Sequence, residues 1–136
     1  MCIRDSIGRE HYLKSDLLRP ARIGIRKADR VLSIIEKKNP LRAHIACQYL
    51  REMREAIEEA SRLCRTGAYF ILVIGNNQIC GVNFLSKNYL EHMLVEAGFN
   101  LKLCLVDDIH SRGLMTKRNK AASIIVSEWI LLLRKK

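Results

Sequence analysis

Two polar segments hold the residue types that could do chemistry in this chain. The first is Gly75-Asn76-Asn77, which follows an apolar run ending at Ile74. Ligands of open α/β sheets bind outside the carboxyl ends of parallel strands, so this junction is a candidate site. Glycine lets another group approach the backbone, and each asparagine offers donor and acceptor together, which suits the edge of a nucleobase. The same three residues also suit a plain turn, because Gly and Asn tolerate left-handed backbone there. The second segment runs from His110 to Lys120 and contains Arg112, Lys117, Arg118 and Asn119, with no acid between Ile109 and Ser127. Its cations would neutralise phosphates, and its Arg and Asn could reach base edges. A solvated basic loop is the alternative, although connections longer than a tight hairpin are more often functional than idle.

Other chemistry is thinly represented. His11, His44, His92 and His110 stand far apart, none with a partner at metal-ligand spacing, so no metal site is expected. The five cysteines, Cys2, Cys47, Cys64, Cys80 and Cys104, are odd in number and form no C-x-x-C pair, which argues against a disulfide framework or a zinc site. They are expected to be reduced and mostly buried. No G-x-S-x-G elbow occurs, and Cys80 has no visible base. Gly81 follows Gly75 at a spacing that fits neither the P-loop nor G-x-G-x-x-G. Glu55 and Glu59 fall on the outer face of a long helix and read as solvated charge. No catalytic residue is assigned.

The elements that must position the two segments follow from periodicity. Residues 22–38 carry Ile23, Ile25, Val31, Leu32, Ile34 and Ile35 among Arg and Lys, a loosely helical pattern weakened by Gly24, with the helix expected from about Lys27. Asn39-Pro40 breaks it, and Pro40 suits the first turn of the next helix. That helix, about Leu41 to Arg65, carries a stripe of Ile45, Tyr49, Met53, Ile57, Ala60 and Cys64, widened by Ala46, Leu50 and Leu63, and ends before Gly67. Residues 68–74 form a continuous apolar run of β-branched and aromatic residues, the pattern of a strand buried on both faces. Leu85, Leu90, Met93, Leu94 and Ala97 give another amphipathic helix, starting at Ser86 or an earlier turn and ended by Gly98. Leu101, Leu103 and Leu105 alternate with Lys102 and Cys104 in a second strand. Ile124 to Val126 and Trp129 to Leu133 make a third, kinked or bulged around Ser127-Glu128. The order predicts an α/β layered domain whose last two strands, joined without a helix, are antiparallel neighbours.

Composition bounds the partners. Lys and Arg number 24 against 14 Asp and Glu, a formal charge of +10 that favours phosphate-rich or otherwise acidic partners. With 49% hydrophobic and 28% charged residues, the chain is globular and not disordered. No apolar run approaches the roughly 20 residues needed to cross a bilayer, and no apolar signal segment opens the chain, so a cytoplasmic location without a membrane partner is expected. Residues 1–6, Met-Cys-Ile-Arg-Asp-Ser, read as a translated sequencing-adapter remnant, which would make the frame truncated; an ordinary short basic N-terminus is the alternative.

In order, the long helix, Gly67-Ala-Tyr-Phe-Ile-Leu-Val-Ile-Gly-Asn-Asn77, Gly81-Val82, Glu96-Ala-Gly-Phe99, Arg112, Lys117-Arg118-Asn119 and Glu128-Trp-Ile-Leu-Leu-Leu-Arg134 resemble the carboxyl half of S-adenosylmethionine-dependent DNA methyltransferases that modify N4 of cytosine or N6 of adenine. The resemblance covers about residues 40–135; Ser6-Ile-Gly-Arg-Glu10 is a weaker match to the segment after the catalytic strand. It implies the carboxyl-terminal half of a Rossmann-like methyltransferase fold over 40–136, preceded by a connecting helical segment over 7–39, with the last two strands antiparallel. It places Gly75, Asn76 and Asn77 at the active-site end of the strand after the catalytic one, with Asn77 where the family often has a small hydroxyl residue. It places Arg112, Lys117, Arg118 and Asn119 on a loop facing substrate, and His110, which opens that basic loop, is a candidate nucleic-acid contact beside them. The family's cofactor loop and Pro-Pro-Tyr motif are absent: the only prolines are Pro20 and Pro40. Holding a flipped base with its amine in line with the methyl sulfonium requires that motif, so the chain alone is expected to transfer no methyl group, and the S-adenosylmethionine site is expected mostly in a missing amino-terminal half of the domain. An RNA methyltransferase fragment and a non-catalytic basic nucleic-acid-binding module are the alternative readings.

Overall fold

In a computed structural model of the chain, the residues described are Ile7, 20–109 and 127–136. Ahead of the first helix runs an extended strap in which Ala21, Ile23 and Ile25 are buried while Arg22 and Gly24 face solvent. This is a period of two, the alternation of a half-buried extended chain. Helix α1, Arg26–Lys38, buries Ala28, Leu32 and Ile35. Both of its acids hold the strap: Asp29 accepts from the Ile23 and Gly24 amides at 2.7 and 3.2 Å, and Glu36 accepts from the Ala21 amide at 3.4 Å.

Asn39 is extended and ends α1, and its side chain accepts from the Arg42 amide at 3.0 Å, capping α2, Pro40–Leu63. Pro40 at the first helical position loses no hydrogen bond there, as the sequence predicts. The buried line of α2 runs through Ala43, Ala46, Cys47, Leu50 and Ile57, with Tyr49 and Met53 packed beside it. Leu63, expected to widen that stripe, is exposed.

Beyond Gly67, at φ +82°, comes β1, Tyr69–Gly75. The remaining elements are β2, Asn77–Ile79, β3, Val82–Phe84, α3, Ser86–Glu96, β4, Phe99–Asp108, and β5, Ser127–Lys135. The sheet order is β1-β5-β4, with β5 antiparallel to both neighbours, so β1 and β4 run parallel on either side of it. The expected antiparallel pairing of the last two strands is present. The protein is a mixed α/β structure with antiparallel sheets, and among the described residues no helix is long and apolar enough to cross a membrane.

Three expectations need correction. First, β1 is not buried on both faces. Phe70, Leu72 and Ile74 pack on the core, but Tyr69, Ile71 and Val73 are 64%, 62% and 53% exposed, because no described element covers that side. Second, the irregularity is not at Ser127-Glu128, which pair in regular register with Asp108, Asp107 and Gly75. It lies in β4, where the register shifts between Leu101 and Leu103 and leaves Lys102 as the extra residue. The bulge splits the leucine alternation: Leu101 lies opposite core Leu133, whereas Leu103 and Leu105 lie opposite Leu132 and Ile130 and are exposed. Ile124 to Val126 fall outside the described residues. Third, Cys64, Cys80 and Cys104 are only partly buried, and Cys47 is the one buried cysteine among the described residues.

The core joins the helices to one sheet face through Leu32, Leu50, Leu90, Leu94, Phe99, Leu131 and Leu133. The rings of Phe70 and Phe99 meet at 5.3 Å.

Candidate functional site

At the carboxyl end of β1 the chain turns into a hairpin. Gly75 pairs with Glu128, Asn76 stands between strands, and Asn77 begins β2 opposite Phe84. Cys80-Gly81 forms the two-residue connection to β3, with φ of 52° and 75°. Positive φ at both positions is what a type I′ hairpin turn requires. Gly75 keeps strand conformation and is not among the positive-φ glycines, so its backbone angle does not demand glycine.

Asn76 is tied into the fold. Its Oδ1 accepts from the Lys87 amide at 3.1 Å, near the amino end of α3. That helix starts after Leu85, which makes no side-chain cap bond, so Asn76 supplies from a distance the acceptor that a local cap lacks. The Lys87 ammonium pairs with Glu91 and lies 5.3 Å from the Trp129 ring centroid, on the strand beside β1. Asn76 is therefore held in place by α3 while its Nδ2 has no partner among the described residues. Asn77 accepts from the Gln78 amide at 2.7 Å through its own Oδ1. Two amide N–H₂ groups are thus left to donate at the end of β1, next to Gly75.

The structure brings Gly75, Asn76 and Asn77 together, as their adjacency requires. His110, Arg112, Lys117, Arg118 and Asn119 lie outside the described residues. The described ends of the strands flanking that segment carry carboxylates: Asp107 is opposite Glu128, and Asp108 is opposite Ser127. Glu128 is in turn opposite Gly75. Like charges facing each other across a ladder oppose pairing, and a cation or donor brought to this corner relieves them. The sequence carried the signal for these acids, since Asp107-Asp108 and Glu128 bracket the basic segment, but their cross-strand alignment needed the register. Among the described residues no group of three His, Cys, Asp or Glu side chains could hold a metal ion.

Perturbed groups sit elsewhere. Burial pushes the Cys47 thiol above its ordinary 9.0, outweighing the opposing charge of Arg51, and its Sγ donates to the Arg22 carbonyl at 3.3 Å. Burial likewise raises the phenols of Tyr49 and Tyr89. The Arg62 guanidinium, hydrogen-bonded at 2.8 and 2.7 Å, lowers Glu59. This exposed pair on α2 is a surface contact and not an acid–base device.

No protein-family model matches the chain, and no curated protein matches it in sequence.

Proposed function

We propose that this chain is the carboxyl-terminal part of a site-specific methyltransferase that moves a methyl group from S-adenosylmethionine to an exocyclic amine of a DNA base. Its own contribution is contact with the DNA and with the target-base pocket. The observation that carries the proposal is the sheet. Three strands with an antiparallel final pair agree with what the resemblance implies for this half of the domain. The outer face, Tyr69, Ile71 and Val73 on β1 with Leu103 and Leu105 on β4, is apolar and exposed, and the second edge of β1 is unpaired among the described residues. A patch of this kind and an open apolar edge are surfaces that a folded protein covers. The missing amino-terminal half of the same domain supplies that cover.

The amide donors of Asn76 and Asn77 at the end of β1 support a role in lining the base pocket, where a flipped base presents its polar edge. The basic segment of Arg112, Lys117 and Arg118 supplies phosphate contacts. By the resemblance, the cofactor belongs with the amino-terminal half of the domain, and catalysis awaits it.

The test joins the chain to its upstream reading frame and follows labelled methyl transfer to duplex DNA. Transfer by the joined protein and none by the chain alone is the expected result, with Arg112→Ala and Lys117→Ala weakening affinity for all sequences alike. Transfer to RNA and not to duplex DNA moves the assignment to an RNA methyltransferase. No transfer to either by a folded joined protein overturns it and leaves a non-catalytic binding module.

A further inference from the structure

Cationic side chains also cluster on the strap and the start of α1. Arg22, Arg26 and Arg30 line an open cleft of about 350 Å³ together with Gly24, Asp29 and Ser33. All three arginines are exposed, and among the described residues their guanidinium groups form no hydrogen bond or ion pair. The acid in the cleft does not neutralise them by direct contact. Both Asp29 oxygens are taken by the Ile23 and Gly24 amides, so this carboxylate holds the strap instead of meeting a guanidinium. Glu36, the other acid of α1, is likewise turned to the strap through the Ala21 amide. The strap is fixed from its other side by Arg51 and Arg54 of α2, which donate to the Arg22 and Ile23 carbonyls at 3.0 and 3.2 Å. Five guanidinium groups thus surround a short, anchored stretch of backbone. Gly24, at φ +87°, has nothing within 4 Å of where a Cβ would stand, so the cleft floor is open.

We propose that Arg22, Arg26 and Arg30 form a phosphate-binding site for a nucleic-acid backbone, built from residues other than those of the segment at 110–120. Naming nucleic acid as the source of the phosphate rests on the methyltransferase assignment; the cation cluster stands on its own geometry. Guanidinium groups grip phosphate through paired N–H donors, and unpaired ones forfeit no internal contact on binding. Arg26 and Arg30 are one helical turn apart on one face, and Arg22 on the strap extends the row. The basic surface continues along α1 through Lys27 to Lys37 and Lys38, the last of which donates to the Cys80 carbonyl at the β2–β3 turn. The 13 residues of α1 span about 20 Å, over half a turn of B-form duplex at roughly 34 Å per turn. A continuous polyphosphate can follow such a row from the strap to the β2–β3 turn, whereas a short acidic peptide cannot fill it.

The experiment measures binding of the full chain to a random-sequence duplex as a function of salt. Three lost phosphate contacts make the plot of log affinity against log salt shallower by about two to three units. The variant Arg22→Ala/Arg26→Ala/Arg30→Ala is expected to show that change with an unaltered melting temperature, because these side chains support no described contact. Arg65→Ala/Lys102→Ala, removing charge elsewhere, is expected to leave the slope nearly unchanged. The variant Arg112→Ala/Lys117→Ala/Arg118→Ala separates the two sites. A normal slope in the strap triple with loss in the segment triple overturns this proposal and leaves the proposed function standing. A lowered slope in the strap triple alone supports the site and removes the DNA role of the 110–120 segment. Equal per-charge losses in all three variants, or equal competition by polyglutamate, overturn a defined nucleic-acid site.

Discussion

The Asn76 side-chain carbonyl accepts the Lys87 amide at 3.1 Å, so the residue just past β1 closes the first turn of a helix that begins ten residues further along the chain. The bond gives one candidate site residue a structural task. Asn76→Ala is expected to cost about 1 kcal/mol, the usual worth of a helix cap, and Asn76→Asp to retain most of it. Urea unfolding measures both. An alanine variant as stable as the parent would show that the cap contributes nothing.

At the other end of α3, Lys135 reaches back from the last strand. Its ammonium donates to the Ala97 carbonyl at 2.9 Å and to the Ser61 hydroxyl, and lies 5.1 Å from the Phe99 ring centroid. A cation is favoured at a helix carboxyl end, where carbonyls lack partners. Lys135→Met is expected to lower stability by about 1–3 kcal/mol, as for loss of hydrogen bonds to a charged group. Gly98→Ala is expected to be destabilising too, by about 1 kcal/mol or more: the glycine is at φ +90°, and a Cβ there would stand 3.1 Å from the Lys135 ammonium. Thermal unfolding of both variants checks this, and parental stability in either would contradict it.

Alkaline pH is expected to destabilise the fold. The Cys47 thiol and the Tyr49 and Tyr89 phenols, ordinarily at 9.0 and 10.0, are raised by burial, so folding favours their neutral forms. That stabilisation is intact below the ordinary values and is lost as pH rises through the raised ones. Denaturation midpoints should therefore hold steady in these three groups' contribution up to about pH 9 and fall above it, with Cys47→Ser and Tyr49→Phe altering the fall. Thiol labelling at neutral pH should modify Cys47 after Cys64, Cys80 and Cys104, since Cys47 is 1% exposed. Early labelling of Cys47 would contradict its burial.

The sheet face that no described element covers is expected to make the isolated chain prone to associate. Ile71→Lys with Leu103→Lys, on two strands of that face, is expected to shift sedimentation toward monomer with little change in unfolding midpoint, because neither side chain is in the core. A parent chain that is already monomeric, with cooperative unfolding, would contradict the need for a covering half.

Much of the fold is legible in residue spacing. The stripe of α2, the Asn39-Pro40 break, the apolar run of β1 and the glycine after α3 are local signals, and each marks its element to within a residue or two. The antiparallel relation of β4 and β5 is the one expected from the lack of a helical pattern in the sequence between them. What spacing cannot supply is pairing order: that β5 inserts between β1 and β4 depends on contacts distant in sequence. The β4 bulge is hidden for the same reason, because Leu101, Leu103 and Leu105 read as one face until Lys102 is displaced. Gly24 interrupts the helical pattern and α1 begins beyond it, next to the expected Lys27, while the alternation of Ala21, Ile23 and Ile25 is the local sign of the strap. At the candidate site, Asn76-Asn77 reads as loop, and the turn signal of the hairpin is Cys80-Gly81. The tie from Asn76 to α3 had no local sign beyond the lack of a polar cap at Leu85.

The most direct measurement is the sequence of the source locus upstream of Ile7. The methyltransferase assignment requires an open frame continuing upstream into a Pro-Pro-Tyr motif preceded by Ser, Asp or Asn, with a glycine-containing cofactor loop before it. A genuine start codon at Met1 behind an in-frame stop would contradict that assignment and leave a basic α/β binding module.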